Sequence, residues 1–135
     1  MKLQYVPLEW VNYTWDKVEG FIASALVYAN GDYTSDQAKV MVTQGKWSLL
    51  IAIDDTGEIC GAATIQFFNR PSNRVAFITA IGGKLVSSKD TFEQLQTYAK
   101  SMGATAIEGA ARESIARLWQ RYGFREKYRI VGVNL

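Results

Sequence analysis

AIEGAARESIARLWQRYGF, residues Ala106–Phe124, runs a strand, a helix and a helix stop together without a linker. Ala106–Gly109 reads as a short strand, and Ala110–Ala111 turn it into an amphipathic helix. Ile115, Leu118, Trp119 and Tyr122 recur at helical spacing, with Arg117, Gln120 and Arg121 largely between them. Gly123 comes after the last periodic residue, where a left-handed C-terminal cap needs a residue without a Cβ. Phe124 restarts an extended segment that continues to Leu135.

Upstream of this run the pattern alternates between helix and strand periods. Leu3–Pro7 reads as a first strand. Apolar residues from Trp10 to Ala29 predict a long helix, strongest from Trp15, with Thr14 as a cap; Asn30-Gly31-Asp32-Tyr33 breaks it. Thr34 or Ser35 caps a second helix through about Thr43, and Gly45 ends it. Trp47–Ile53 and Glu58–Phe68 form a hairpin across the turn Asp54-Asp55-Thr56-Gly57. Arg74–Ile81 is the next strand, and a polar loop over 82–90 leads into a helix at Thr91–Met102. Asp90 with Glu93 has the spacing of a capping box at its start. The predicted order is β-α-α-β-β-β-α-β-α-β, a mixed, mainly antiparallel α/β (α+β) sheet with helices on both faces.

Composition narrows the function classes. A chain of 135 residues with 48% hydrophobic and 21% charged residues reads as one ordered domain, residues 1–135, with a substantial core. No stretch approaches the roughly 18–20 apolar residues of a membrane span, and MKLQYVPLEW predicts no secretory leader. One cysteine, Cys60, forms no internal disulfide, so a reducing cytoplasm is the expected compartment. The absence of histidine removes the commonest general base, the Ser-His and Cys-His pairs, and most zinc sites. A net charge of +2 does not by itself point to nucleic acid. Its distribution is uneven, since Arg112, Arg117, Arg121 and Arg125 crowd the last helix. They read either as a solvated face, with Glu113 four residues before Arg117, or as a site for an acidic partner or nucleic acid. Asp54 and Asp55 read as turn formers rather than a metal pair, and Cys60 as a small buried hydrophobe. Self-association is left open.

The order of elements and the run Leu118-Trp119-x-x-x-Gly123-Phe124 resemble the GNAT (GCN5-related N-acetyltransferase) family, where L-Y-x-x-x-G-F carries the helix behind the acyl-CoA site. The phrase Ile53-Asp54-Asp55-x-Gly57-x-Ile59-x-Gly61 resembles the family's central hairpin. The chain is also similar in overall pattern to compact GNAT-like proteins of tailed bacteriophages, some of them virion-assembly components. That likeness implies a non-catalytic binding or assembly protein as the alternative to an enzyme.

The family resemblance implies acyl transfer from acetyl-CoA to a small-molecule or protein amine, with no metal. It places the cofactor along the fourth strand, here Phe77, Ile78, Thr79, Ala80 and Ile81. The pyrophosphate would lie at the loop Gly82, Gly83, Lys84, Ser87, Ser88 and Lys89, and Trp119 would flank the cleft. The loop GGKLVSSKD departs from the family's R/Q-x-x-G-x-G/A, and Trp119 stands where the family's acidic Tyr stands. An indole N–H is no general acid at neutral pH. Tyr122 is then the candidate acid and Glu108 the candidate base, beside their plainer readings as a core tyrosine and an exposed strand residue opposite Ile107. Tyr28, Asp32 and Tyr33, at the end of the first helix and in its exit loop, are the expected acceptor contacts.

Overall fold

The computed structural model describes residues 1–28 and 31–135. Five strands lie side by side in chain order: β1 (Lys2–Tyr5), β2 (Ser48–Ile53), β3 (Ile59–Arg70), β4 (Asn73–Gly83) and β5 (Ala106–Gly109). β1 through β4 are antiparallel, and β5 runs parallel to β4 because helix α3 (Lys89–Ser101) carries the chain across between them. Alternation along β2 assigns the faces. Leu49 and Ile51 pack with Val11, Trp15, Val18 and Ile22 of α1 (Leu8–Leu26) and with Ala38 and Val42 of α2 (Ser35–Thr43). Leu50, between them, packs on the opposite face with Phe92, Leu95 and Ala99 of α3 and Trp119 of α4 (Glu113–Gln120). Helices therefore cover both faces of the sheet, as the sequence order predicts.

The element ends obey local chemistry. α1 starts at Leu8 because Pro7, at φ −58°, is set for a helix N-terminus; Thr14, the expected cap, is buried inside the helix. The predicted end of this helix at Ala29 and the turn residue Asn30 lie outside the described residues. α2 carries a capping box, in which Thr34 accepts from the Gln37 amide while the Gln37 side chain accepts from the Thr34 amide. α4 closes in a Schellman motif: Phe124 N–H donates to the Trp119 carbonyl (3.2 Å) and Gly123 N–H to that of Gln120 (3.1 Å), with Gly123 at φ 93°.

Two expectations are corrected. α3 is capped by Ser88, whose hydroxyl accepts from the Thr91 amide at 3.3 Å. Asp90 sits one residue inside the helix, bonded to Gln94 and 4.0 Å from the N-terminal amine, so its carboxylate does not cap. The predicted last strand, residues 124–135, forms no ladder. Its residues favour an extended backbone, but from Arg125 onward none makes a backbone–backbone hydrogen bond among the described residues, and strand propensity without a paired edge does not make a strand.

β4 holds the irregularity that matters for function. Thr64 pairs with Ala80 while its neighbour Ile65 pairs with Ile78, so Thr79 is an extra residue, a β-bulge. Ile78 and Ala80, two positions apart, consequently face opposite sides: Ile78 packs with α3 and α4, and Ala80 with α1 and α2. The Thr79 hydroxyl pins the bulge by donating to the Thr64 carbonyl (2.9 Å), and it also bonds the Thr64 hydroxyl (2.7 Å).

Candidate active site

β4 and β5 pair only from Val75↔Ala106 to Ile78↔Gly109. The bulge comes immediately after, and beyond it the strands part. A bulge bends its strand and re-aims the residues beyond it, so Thr79–Gly83 loses its neighbour on the β5 side while keeping β3 on the other. The opening is a cleft of about 450 Å³, within the size range of small-molecule sites. Its floor is Ile78–Gly83 of β4. One wall is Ala110–Arg112, Ile115 and Trp119, from the start of α4 and its entry loop. The other wall is Ser24, Ala25 and Tyr28 at the end of α1.

Close backbone approach shapes this cleft. A Cβ on Gly82 would lie 2.5 Å from the Phe21 carbonyl oxygen, so glycine is what lets α1 press onto β4. A Cβ on Gly109 would stand 3.1 Å from the Trp119 ring, which packs over the last paired residue of β5. Trp119 is 3% exposed, and its indole N–H has no acceptor among the described residues. Trp15 and Trp47 share that condition, but of the three only Trp119 lines this cleft. A buried donor without an acceptor is uncommon enough to need a reason. At the mouth, the Arg112 guanidinium lies 3.7 Å from the centroid of the Tyr28 ring, a cation–π contact joining α1 to the N-cap of α4.

The sequence candidates divide in space. Ile78, Thr79, Ala80, Ile81, Gly82, Gly83, Trp119 and Tyr28 line one cleft. Lys84 lies in a 3-10 turn, Lys84–Val86, which leads through Ser87, Ser88 and Lys89 into the start of α3. Leu85 anchors that turn among Ala52 and Ala63, and Val86 reaches the cleft lining. With Ser88 as cap, the amides of Lys89 and Asp90 have no acceptor among the described residues. Phe77 is turned from the cleft and packs against Phe68, with centroids 6.3 Å apart. Asp32 is exposed beyond the cleft lining. Tyr33 meets Trp47 edge-on at 4.8 Å instead of facing the cleft.

Glu108 and Tyr122 also lie outside the lining. Glu108, 10% exposed, is bonded through Oε2 to Arg70 and to Lys127, the latter at 3.2 Å. The hydrogen bond from Arg70 chiefly, with help from Lys127 and against partial burial, holds its carboxyl below the ordinary carboxylate range. A carboxylate so held is a poor proton acceptor. The Tyr122 hydroxyl donates to the Ser87 carbonyl at 2.9 Å and its ring stacks on Phe92, tying α4 to the start of α3. Arg117, Arg121 and Arg125 are exposed, with no acidic partner among the described residues; Glu113 does not pair with Arg117. No cluster of metal-ligating side chains occurs among the described residues, and none of their helices is long and apolar enough to cross a membrane. The bulge at Thr79 is the feature that sequence reasoning misses; its only trace is one polar residue in the apolar run VAFITAI.

No protein-family model matches this chain, and no curated protein matches it. Solved structures do. A tetramutant of a Bacillus halodurans protein superposes with a TM-score of 0.71 at 16% identity, covering 100% of both chains. The ribosomal-protein-alanine N-acetyltransferase from Brucella melitensis biovar Abortus 2308 gives 0.68 at 14% identity, again over 100% of both. A predicted acetyltransferase from Clostridium acetobutylicum, solved with acetyl-CoA, gives 0.64 at 14% identity over 98% of this chain and 95% of that one. The fold is that of the GNAT acetyltransferases. At these identities the GNAT likeness extends to architecture alone, and the resemblance to phage proteins finds no support in it.

Proposed function

We propose that the chain is a GNAT-type N-acyltransferase taking acetyl-CoA in the cleft beside β4. The observation carrying this reading is the splay itself: a bulge at Thr79 ends β4–β5 pairing and leaves Thr79–Gly83 flanking a cleft of about 450 Å³. A strand edge with free N–H and C=O groups suits the amide-bearing arm of an acyl carrier, which pairs with it as another strand would. The uncapped amides of Lys89 and Asp90, with Lys84 and Lys89, suit the phosphates, because unpaired N–H groups at a helix start attract anions. Acetyl-CoA, when bound, supplies the activated acetyl group.

The chain's own residues contribute position rather than strong acid–base chemistry. Trp119 contributes an unpartnered N–H at the cleft wall, and Arg112 stacked on Tyr28 closes its mouth. Glu108 is already held by two cations and Tyr122 already bonded to Ser87, so the amine's proton leaves through solvent. The acceptor is an amine. Titration calorimetry with acetyl-CoA and with CoA tests the reading: saturable binding in the micromolar range is expected. Absence of heat at millimolar ligand overturns it.

A further inference from the structure

Among the described residues Arg112 is the only charged side chain lining the cleft, and no aspartate or glutamate stands there with it. Glu108 lies outside the lining and is already bonded to Arg70 and Lys127. Arg112 sits at the N-cap of α4, with its guanidinium 3.7 Å from the centroid of the Tyr28 ring. Such stacking engages one flat face of the guanidinium and leaves the N–H groups along its edge to bond elsewhere. No carboxylate among the described residues pairs with that edge, the adjacent Glu113 included. A guanidinium fixed in place without an anion offers a two-pronged donor shaped for a carboxylate or a phosphate.

The anion has two sources, the cofactor's phosphates and the acceptor. Under the proposed function the phosphates are met by Lys84, Lys89 and the amides that open α3. Arg112 belongs to another part of the cleft, where the loop after β5 meets the end of α1. An acceptor amine attacks only as the free base. A fixed cation nearby favours that form, and a substrate with several ammonium groups would need carboxylates that this lining lacks. Resting on the acyltransferase reading, we infer that the acceptor is a small amine that also bears a carboxylate, an amino acid rather than a polyamine, and that Arg112 holds the carboxylate. The pair offsets the carboxylate's own pull on the ammonium proton. The amine nitrogen then bonds the acetyl carbon and the C–S bond breaks. The nitrogen loses a proton to solvent, the sulfur takes one up, and an N-acetylated amino acid and CoA leave.

Release of CoA thiol, followed with the common amino acids, with their C-terminal amides and with a linear diamine, tests the assignment. The free acids are expected to exceed their amides and the diamine in kcat/KM by about ten- to hundredfold, the worth of hydrogen bonds to a charged group, with the difference in KM. Arg112 is exposed, so Arg112→Gln should fold, and in it the preference for the free acids should vanish. Calorimetry with acetyl-CoA reads cofactor binding on its own. Saturable acetyl-CoA binding with no preference for the free acids, or a preference that survives Arg112→Gln, overturns this inference alone. Absence of acetyl-CoA binding overturns the acyltransferase reading and this inference with it. If Arg112 held a phosphate of the cofactor instead, Arg112→Gln would weaken acetyl-CoA and slow acids and amides alike, and that result also overturns the inference.

Discussion

Trp119 stands where the GNAT pattern that this sequence resembles has tyrosine, and the difference alters what that position offers. A tyrosine hydroxyl both donates and accepts and gives up a proton; an indole N–H only donates. The Trp119 N–H lies buried at the cleft wall with no acceptor among the described residues, and under the proposed function a ligand carbonyl would supply one. Trp119→Phe keeps an aromatic ring and removes that donor, so acetyl-CoA should bind roughly three- to tenfold more weakly, the worth of one net hydrogen bond. Trp15→Phe is the control: its N–H is equally unpartnered among the described residues but does not line this cleft, and its loss should leave affinity unchanged. Calorimetry on both folded variants reads the difference, and equal affinities in the two would remove Trp119 from the site.

At the scale of elements, the β2–β3 hairpin draws stability from the charge in its turn. One oxygen of Asp54 accepts from the Thr56 amide (2.9 Å), the Thr56 hydroxyl (2.6 Å) and the Glu58 amide (3.0 Å). These bonds, the Thr56 hydroxyl first, hold its pKa below the ordinary 3.8. A native pKa below the unfolded one means stability that is complete above about 3.8 and lost as pH falls through the native value. Asp54→Asn keeps an acceptor but not the charge. The wild type should exceed this variant in urea midpoint at neutral pH, by a small margin at so exposed a site, and the two should converge in strong acid. A gap that persists in acid would mean that the turn, not the charge, sets the difference.

The hairpin, the cap of α2 and the Gly123 stop are legible in the sequence because each rests on residues adjacent along the chain. The cap of α3 is ambiguous for a local reason, since Ser88 and Asp90 are both good caps two positions apart and only the backbone decides between them. Residues 124–135 have the propensity of a strand, whereas pairing depends on an edge that local sequence does not describe. The site is legible as a run of β4 residues but not as a shape. Residue type singles out Glu108, but its engagement with Arg70 and Lys127 arises from chain segments far apart in sequence.

At the scale of the molecule, one extra residue decides whether the sheet is closed or open. β4 is buried on both faces where it crosses the bulge, so its sequence has no polar alternation to betray the change of register. Yet the consequence reaches three layers: α1 packs on Gly82, α4 on Gly109, and the space between is the cleft. Deleting Thr79 tests this chain of causes directly. Ile78 and Ala80 already point to opposite faces, so without Thr79 they become ordinary neighbours and neither side chain has to leave its own core cluster. The deletion loses the hydroxyl bonds to Thr64 but buries no new polar group, and the chain should fold. With the re-aiming residue gone, β4 should stay beside β5 for longer and narrow the cleft. Acetyl-CoA affinity should fall at least about tenfold, some 1.4 kcal/mol. Circular dichroism and calorimetry on the deletion variant decide the matter: a folded chain with undiminished affinity would show that the opening does not originate at the bulge.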